Sequence, residues 1–139
     1  MAGAPVETLT RVPLFEELDA AELESVAALM NEANVPAGAV VTAEGGAADG
    51  FFVIESGEVE VTEHGAFIAT LTAGDYFGEI ALLAGSHRVA TVTARTDARC
   101  WALTPWDFRT LVEANPSIAW KVIEAMAARL AELSGEAGG

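Results

Sequence analysis

The chain has 139 residues, 52% of them hydrophobic, and its 21 acidic against 7 basic residues leave a formal charge of −14. That length suits one domain with a sizeable core, and strong acidity without a basic cluster argues against nucleic acid or an anionic membrane as partner. The single cysteine, Cys100, excludes an internal disulfide framework.

The N-terminal segment MAGAPVETL lacks a basic region followed by an apolar core, and no apolar run approaches bilayer-spanning length, so a cytoplasmic chain is expected. Residues 1–7 and 135–139 read as flexible ends of one domain over 8–134. Asp19, with Glu22 three residues on, forms a capping box, and Leu18 and Leu23 are placed for a hydrophobic staple across it. These signals predict a helix that buries Leu23, Val26, Ala27 and Met30 and ends near Asn34, before Pro36 and Gly38. Short segments rich in Val, Phe, Thr and Ile follow at 39–43, 51–55, 58–62, 67–71, 88–94 and 98–103. Turn signals such as Glu44-Gly45-Gly46, Ser56-Gly57, His64-Gly65 and Gly74-Asp75 separate most of them. The pattern predicts a small antiparallel sandwich or barrel, with Val59 and Val61 facing in and Glu58 and Glu60 facing out. Cys100 lies in an apolar run, Cys100-Trp101-Ala102-Leu103, that reads as buried strand, where a reactive thiol is not expected.

Two helices close the chain. Thr104 caps the first, with Pro105 at its first position, Asp107 in its first turn, and Phe108, Leu111 and Val112 as its apolar stripe. The second starts at Asn115-Pro116 by the same device. Ile118, Val122, Ile123, Met126, Ala127, Leu130 and Leu133 give it a broad apolar face, read as core or as a dimer seam, and Gly135 with Gly138-Gly139 ends it. The fold class is therefore α+β, mainly β: an antiparallel sandwich between an N-terminal helix and two C-terminal ones.

The segment FGEIALLAGSHRVATV, residues 77–92, carries the chemistry. Gly78 lets backbone approach a ligand closely, and the amides of Glu79, Ile80 and Ala81 would form the first turn of a helix, which favours anions. Arg88 opens a strand after the loop Ala84-Gly85-Ser86-His87, and its planar fork suits phosphate oxygens. Alternation places it on the side of Ala90 and Val92, where a guanidinium needs a partner. Ionised Glu79 only accepts hydrogen bonds, which suits a sugar hydroxyl. The plainer alternative is that Glu79 and Arg88 form a structural ion pair with each other.

Several further strings, VPLF at 12–15, AEGG and FFVIESGEVEV within 43–61, GDYFGEIALL at 74–83 and R-x-A-T-V at 88–92, occur in the same order as the predicted elements. Together they resemble the cyclic nucleotide-binding domain family of bacterial catabolite activators, kinase regulatory subunits and nucleotide-gated channels, over about Leu9 to Leu133. The resemblance implies a jelly-roll fold, Arg88 as ligand of the cyclic phosphate, Glu79 as ligand of the ribose 2′-hydroxyl, and Gly78, Ile80 and Ala81 as the turn around the phosphate. Members of the family selective for cGMP place Thr after the arginine. This chain has Val89, which tilts the expected ligand toward cAMP. Many members carry Pro before the arginine where this chain has His87, read either as a surface loop residue or as an added positive charge when protonated. Ser134 falls about where catabolite activators set a hydroxyl near the adenine. Trp101 and Trp120 are read as core fillers or, alternatively, as stacking platforms for a base.

Enzyme chemistry finds no support. His64 and His87 lack metal-ligand spacing, no cysteine cluster compensates, and Ser56 and Ser86 sit in turns without a nucleophile elbow. The chain reaches Gly139 before a DNA-reading helix-turn-helix could form, which with its acidity speaks against direct DNA binding. The sequence therefore predicts a metal-free, non-catalytic sensor of a cyclic nucleotide, most simply cAMP, signalling through its C-terminal helices to a protein partner or a second copy. The alternatives are an interaction sandwich with an unoccupied pocket, and the regulatory domain of a longer enzyme or channel.

Overall fold

Phe51-Phe52-Val53-Ile54 is the run that sorts the molecule into layers, because all four side chains are buried and alternation sends them to opposite faces. The computed structural model describes residues 3–133. The chain runs through α1 (Val6–Thr10), a 3-10 turn (Pro13–Phe15), α2 (Ala20–Leu29) and strands β1 (Asn31–Val35), β2 (Val40–Thr42), β3 (Phe51–Ser56), β4 (Val59–Glu63), β5 (Ala66–Leu71) and β6 (Tyr76–Phe77). Helix α3 (Glu79–Ala84), strands β7 (Thr91–Ala94) and β8 (Ala98–Leu103), and helices α4 (Pro105–Ala114) and α5 (Pro116–Leu133) complete it. The strands make two antiparallel four-stranded sheets, ordered β1-β8-β3-β6 and β2-β7-β4-β5. This is the expected jelly-roll sandwich with flanking helices.

Two cores result. Phe51 and Val53 of β3, with Trp101 and Leu103 of β8, pack against Leu9, Phe15, Met30, Phe108 and Ile118 of the helical layer. Phe52 and Ile54, with Cys100 of β8, face Val59, Val61 and Val92 of the other sheet. A strand covered on both sides loses its polar alternation, which is why β3 reads as a continuous apolar run. Val59 and Val61 are buried while Glu58 and Glu60 are partly exposed, as the alternation predicts. Burial pushes the Cys100 thiol up to about 11, so it stays protonated and inert at neutral pH.

Local signals hold at the helix starts. The Asp19 carboxylate accepts from the Glu22 N–H at 2.8 Å, and the Glu22 side chain accepts from the Asp19 N–H at 2.9 Å, so the capping box is complete. The Thr104 hydroxyl accepts from the Asp107 N–H at 3.2 Å. Asn115 behaves differently: its side-chain amide donates back to the Leu111 carbonyl at 2.8 Å and so closes the end of α4.

Other expectations need correction. Helix α2 ends at Leu29 rather than near Asn34, because Met30 turns extended (ψ 144°) into the core and residues 31–35 pair with β8. Asn31-Glu32-Ala33-Asn34 carries little strand propensity, and pairing with a neighbouring strand overrides it. The strand expected from Arg88 begins at Thr91, since the Arg88 backbone pairs instead with the Gly45-Gly46 turn through two bonds of 2.8 Å. The N-terminal boundary expected at residue 8 falls inside α1, and within the stretch read as flexible Ala4 is buried and its N–H donates to the Ala27 carbonyl at 2.8 Å.

Helix α5 is buried most deeply along its first half. Ile118 and Val122 are buried, and Lys121 Nζ lies 2.6 Å from Glu16 Oε2 and 3.6 Å from Glu17 Oε2 beside the N-terminal turn. Ile123 and Leu130, on the face read as core or as a dimer seam, are 52% and 64% exposed and so are not core in this chain. The Leu133 side chain, Ser134, Gly135 and the glycine tail lie outside the described residues.

Phe108 is the joint between α4 and the sheets, stacked on Phe51 with ring centroids 4.7 Å apart. Phe108→Ala removes that ring from a core position and should cost about 3–5 kcal/mol of stability. Urea unfolding followed by circular dichroism measures the loss.

Candidate functional site

Gly78 is where β6 turns into α3. Its φ of 100° lies in the region that L side chains avoid, and a Cβ there would stand 2.7 Å from the Gly50 carbonyl oxygen and 3.0 Å from Arg88 Nη1. The missing side chain is thus a condition for bringing three chain segments together. Helix α3 opens directly after it, and Gly85 ends the helix in a left-handed conformation with φ 66°.

Arg88 is the centre of this junction. It is 5% exposed, and its guanidinium donates from Nη1 to the Gly78 carbonyl at 3.0 Å, from Nη2 to the Gly50 carbonyl at 2.7 Å, and from Nη2 to Asp49 Oδ1 at 3.0 Å. The carboxylate paired with Arg88 is therefore that of Asp49, a residue the sequence reading did not single out. Three donors are engaged by the protein itself, so the fork expected to be free for a ligand is largely spent on holding its own position. Nε is different: it is buried and has no hydrogen-bond partner among the described residues. A buried donor left unpaired costs about 1–3 kcal/mol.

Beside this junction lies a cavity of about 410 Å³. Gly78, Glu79, Ile80, Ala81, Arg88 and Val89 all line it, so the six residues singled out in the sequence converge on one site. The opposite wall is the inner face of the β2-β7-β4-β5 sheet, contributed by Thr42, Val61, Glu63, Ala69, Leu71 and Val92. Met126 and Leu130 of α5 form a third side. This is an apolar pocket with a few polar groups gathered on it, the usual build of a small-molecule site. Sequence reasoning missed Thr42, Glu63, Tyr76 and the pocket role of Met126 and Leu130. Glu63 had one readable signal, since it follows Val59 and Val61 at the inward positions of the same strand.

His87 is exposed and does not line the cavity, and neither tryptophan does. Trp101 is buried, with its indole N–H donating to Glu55 Oε1 at 2.7 Å, as a core residue would. Trp120, read as a core filler or a platform for a base, is 60% exposed and donates to Glu124 Oε2 at 2.9 Å. Among the described residues there is no group of three or more His, Cys, Asp or Glu placed to hold a metal ion.

Fold and cavity together define a ligand-binding jelly roll. Residues 32–115 match the family model described as the cyclic nucleotide-binding domain. A cAMP-dependent protein kinase regulatory subunit of Yarrowia lipolytica is 42% identical over 106 residues, 75% of this chain and 28% of the relative. A cyclic nucleotide-gated potassium channel of Rhizobium etli is 37% identical over 113 residues, 81% of this chain and 32% of the channel. Among solved structures, cAMP-bound PfPKA-R (141–441) superposes with a TM-score of 0.82 at 29% identity, covering 93% of this chain and 46% of that one. The chain belongs to the cyclic nucleotide-binding domain family. It spans about a third or less of the length of the two relatives matched by sequence.

Tyr76, the only tyrosine of the chain, reports on this pocket. Burial, with added repulsion from Glu79 and Asp75, pushes its phenol from 10.0 up to about 12. The neutral phenol is favoured in the folded state, so its contribution to stability is complete below pH 10 and is lost as pH rises toward 12. Phenolate absorbance near 295 nm should accordingly appear well above pH 10 in the folded protein, and at the ordinary value once the protein is unfolded in urea.

Proposed function

We propose that this chain is a cyclic nucleotide sensor whose ligand is cAMP, and that it performs no catalysis. The observation that carries the reading is the buried Arg88 Nε, an unpaired donor on a residue lining the cavity that the half-buried start of α3 also lines. A cyclic phosphodiester bears one negative charge, and its oxygens would satisfy that donor together with the amides of the turn after Gly78. Glu79, an acceptor at the same edge, takes the ribose 2′-hydroxyl. Ile80 and Ala81 shape the turn. Val89 offers no hydroxyl to a guanine, and relatives bearing cAMP in their names support adenine.

Helix α5 carries the output. Met126 and Leu130 face the cavity, while Trp120 and Ile123 of the same helix are exposed. A ligand that favours one position of this helix over another shifts its population, and a protein partner or a second copy seated on the exposed residues reads the shift. No helix among the described residues is long and apolar enough to cross a membrane, which accords with action in the cytoplasm.

Calorimetric titration with cAMP tests the assignment. Arg88→Lys keeps the charge but not the planar fork and should weaken binding by about tenfold to a hundredfold, as should Glu79→Gln by about tenfold. Unchanged affinity in both variants, with urea midpoints showing that each is folded, would remove the pocket from consideration.

A further inference from the structure

One carboxylate in the cavity has no assigned task. Glu63 is the last residue of β4 and shares the inward side of that strand with Val59 and Val61, both buried. Register with β7 pairs Val61 with Val92 and Thr62 with Thr91, which sets Glu63 one position further along, against the segment that leads back to Val89 and Arg88. Its carboxylate has no hydrogen bond or ion pair among the described residues. The neighbouring His64 is held by Glu44 instead, through its N–H at 2.9 Å and Nδ1 at 3.1 Å. Glu63 is therefore the one acidic side chain on an otherwise apolar or hydroxyl-bearing sheet wall, and it is left with accepting capacity directed at the cavity.

The chemistry of the ligand leaves little choice of partner. The inference rests on the cAMP reading above. At neutral pH a 3′,5′-cyclic adenosine monophosphate has only two groups that bear N–H or O–H: the ribose 2′-hydroxyl and the 6-amino group of the base. Every other polar atom on it accepts. Glu79 takes the hydroxyl beside the phosphate-binding turn. A second group that can only accept must be repelled by the phosphate and can be satisfied by the amino group alone.

We infer that Glu63 is a specificity-determining residue that accepts a hydrogen bond from the 6-amino group of adenine. In the same pose a base that carries hydrogen or a carbonyl oxygen at C6 offers no donor at that position. Discrimination of this kind exceeds what a missing methyl in an apolar pocket achieves, since the mismatch leaves a charged acceptor unpaired.

The test compares cAMP with the analogue in which hydrogen replaces the 6-amino group, purine riboside 3′,5′-cyclic monophosphate, and with cGMP. Calorimetry is done on the full chain as wild type, Glu63→Ala and Glu63→Gln. In the wild type, deleting the amino group should weaken binding by about tenfold or more. In Glu63→Ala the two adenine-shaped ligands should bind alike, and in Glu63→Gln, whose neutral carbonyl still accepts, the loss should fall to a few-fold. A 2′-deoxy analogue of cAMP should lose the same factor in all three proteins, because that contact belongs to Glu79. An amino-group effect that is equal in wild type and Glu63→Ala overturns the role of Glu63 while leaving the cAMP reading intact, whereas tighter binding of cGMP than cAMP by the wild type overturns both. Failure of every cyclic nucleotide to bind the wild type overturns both.

Discussion

A guanidinium buried to 5% exposure is the constraint around which the site is organised. A cation in such a place is tolerable only where acceptors converge on it, and here they come from the loop before β3 and from the start of α3. Gly50 and Gly78 each contribute a carbonyl, Asp49 a carboxylate, and the turn at Gly45-Gly46 clasps the Arg88 backbone from the other side. The loop from Gly45 to Gly50, the turn at Gly78 and the Arg88 segment are thus fixed relative to one another through one residue. The lack of a Cβ at Gly78 is part of the same arrangement, since a methyl there would occupy the space between Gly50 and Arg88. A site this rigid orients its remaining donor before any ligand arrives, which reduces the ordering cost of binding.

Much of this was legible in the sequence because the signals were local. The capping box at Asp19, the Thr104-Pro105 start and the six residues around the 78–89 turn depend on side chains close in the chain, and the structure brings those six to one cavity. What stayed hidden depended on partners far away. Asp49 lies 39 residues from Arg88, and only the fold makes it the partner of that arginine in place of Glu79. Strand β1 could not be read from Asn31-Glu32-Ala33-Asn34, because its pairing with β8 supplies what its composition does not. Trp120 illustrates the opposite error: an aromatic on an apolar helix face looks like core, yet burial depends on whether anything covers that turn.

The two walls of the cavity divide the labour by chemistry. The turn after Gly78 offers backbone amides and Arg88, suited to an anion, while the sheet opposite offers apolar surface suited to a planar base. Polar groups on such a surface are few, and each therefore counts heavily in orientation. The layered fold makes this possible, since the β3 run buries its helix-facing residues in one core and its sheet-facing residues in another. Side chains at the open edge of the second sheet can then vary without disturbing either core.

Helix α5 has the mechanics of a cantilever. Its root is clamped by Ile118, Val122 and the contact of Lys121 with Glu16, and its second half borders the cavity at Met126 and Leu130. From Val122 to Leu130 the arm extends about 12 Å at the usual rise per residue. A tilt of a few degrees at the root therefore becomes a displacement at the tip that grows with distance along the arm. Stiffness is intrinsic to the hydrogen-bonded rod, so the deflection requires no melting of helix and little rearrangement of the clamp. On the function proposed above, a change in what fills the cavity would move the far end of α5 more than its root.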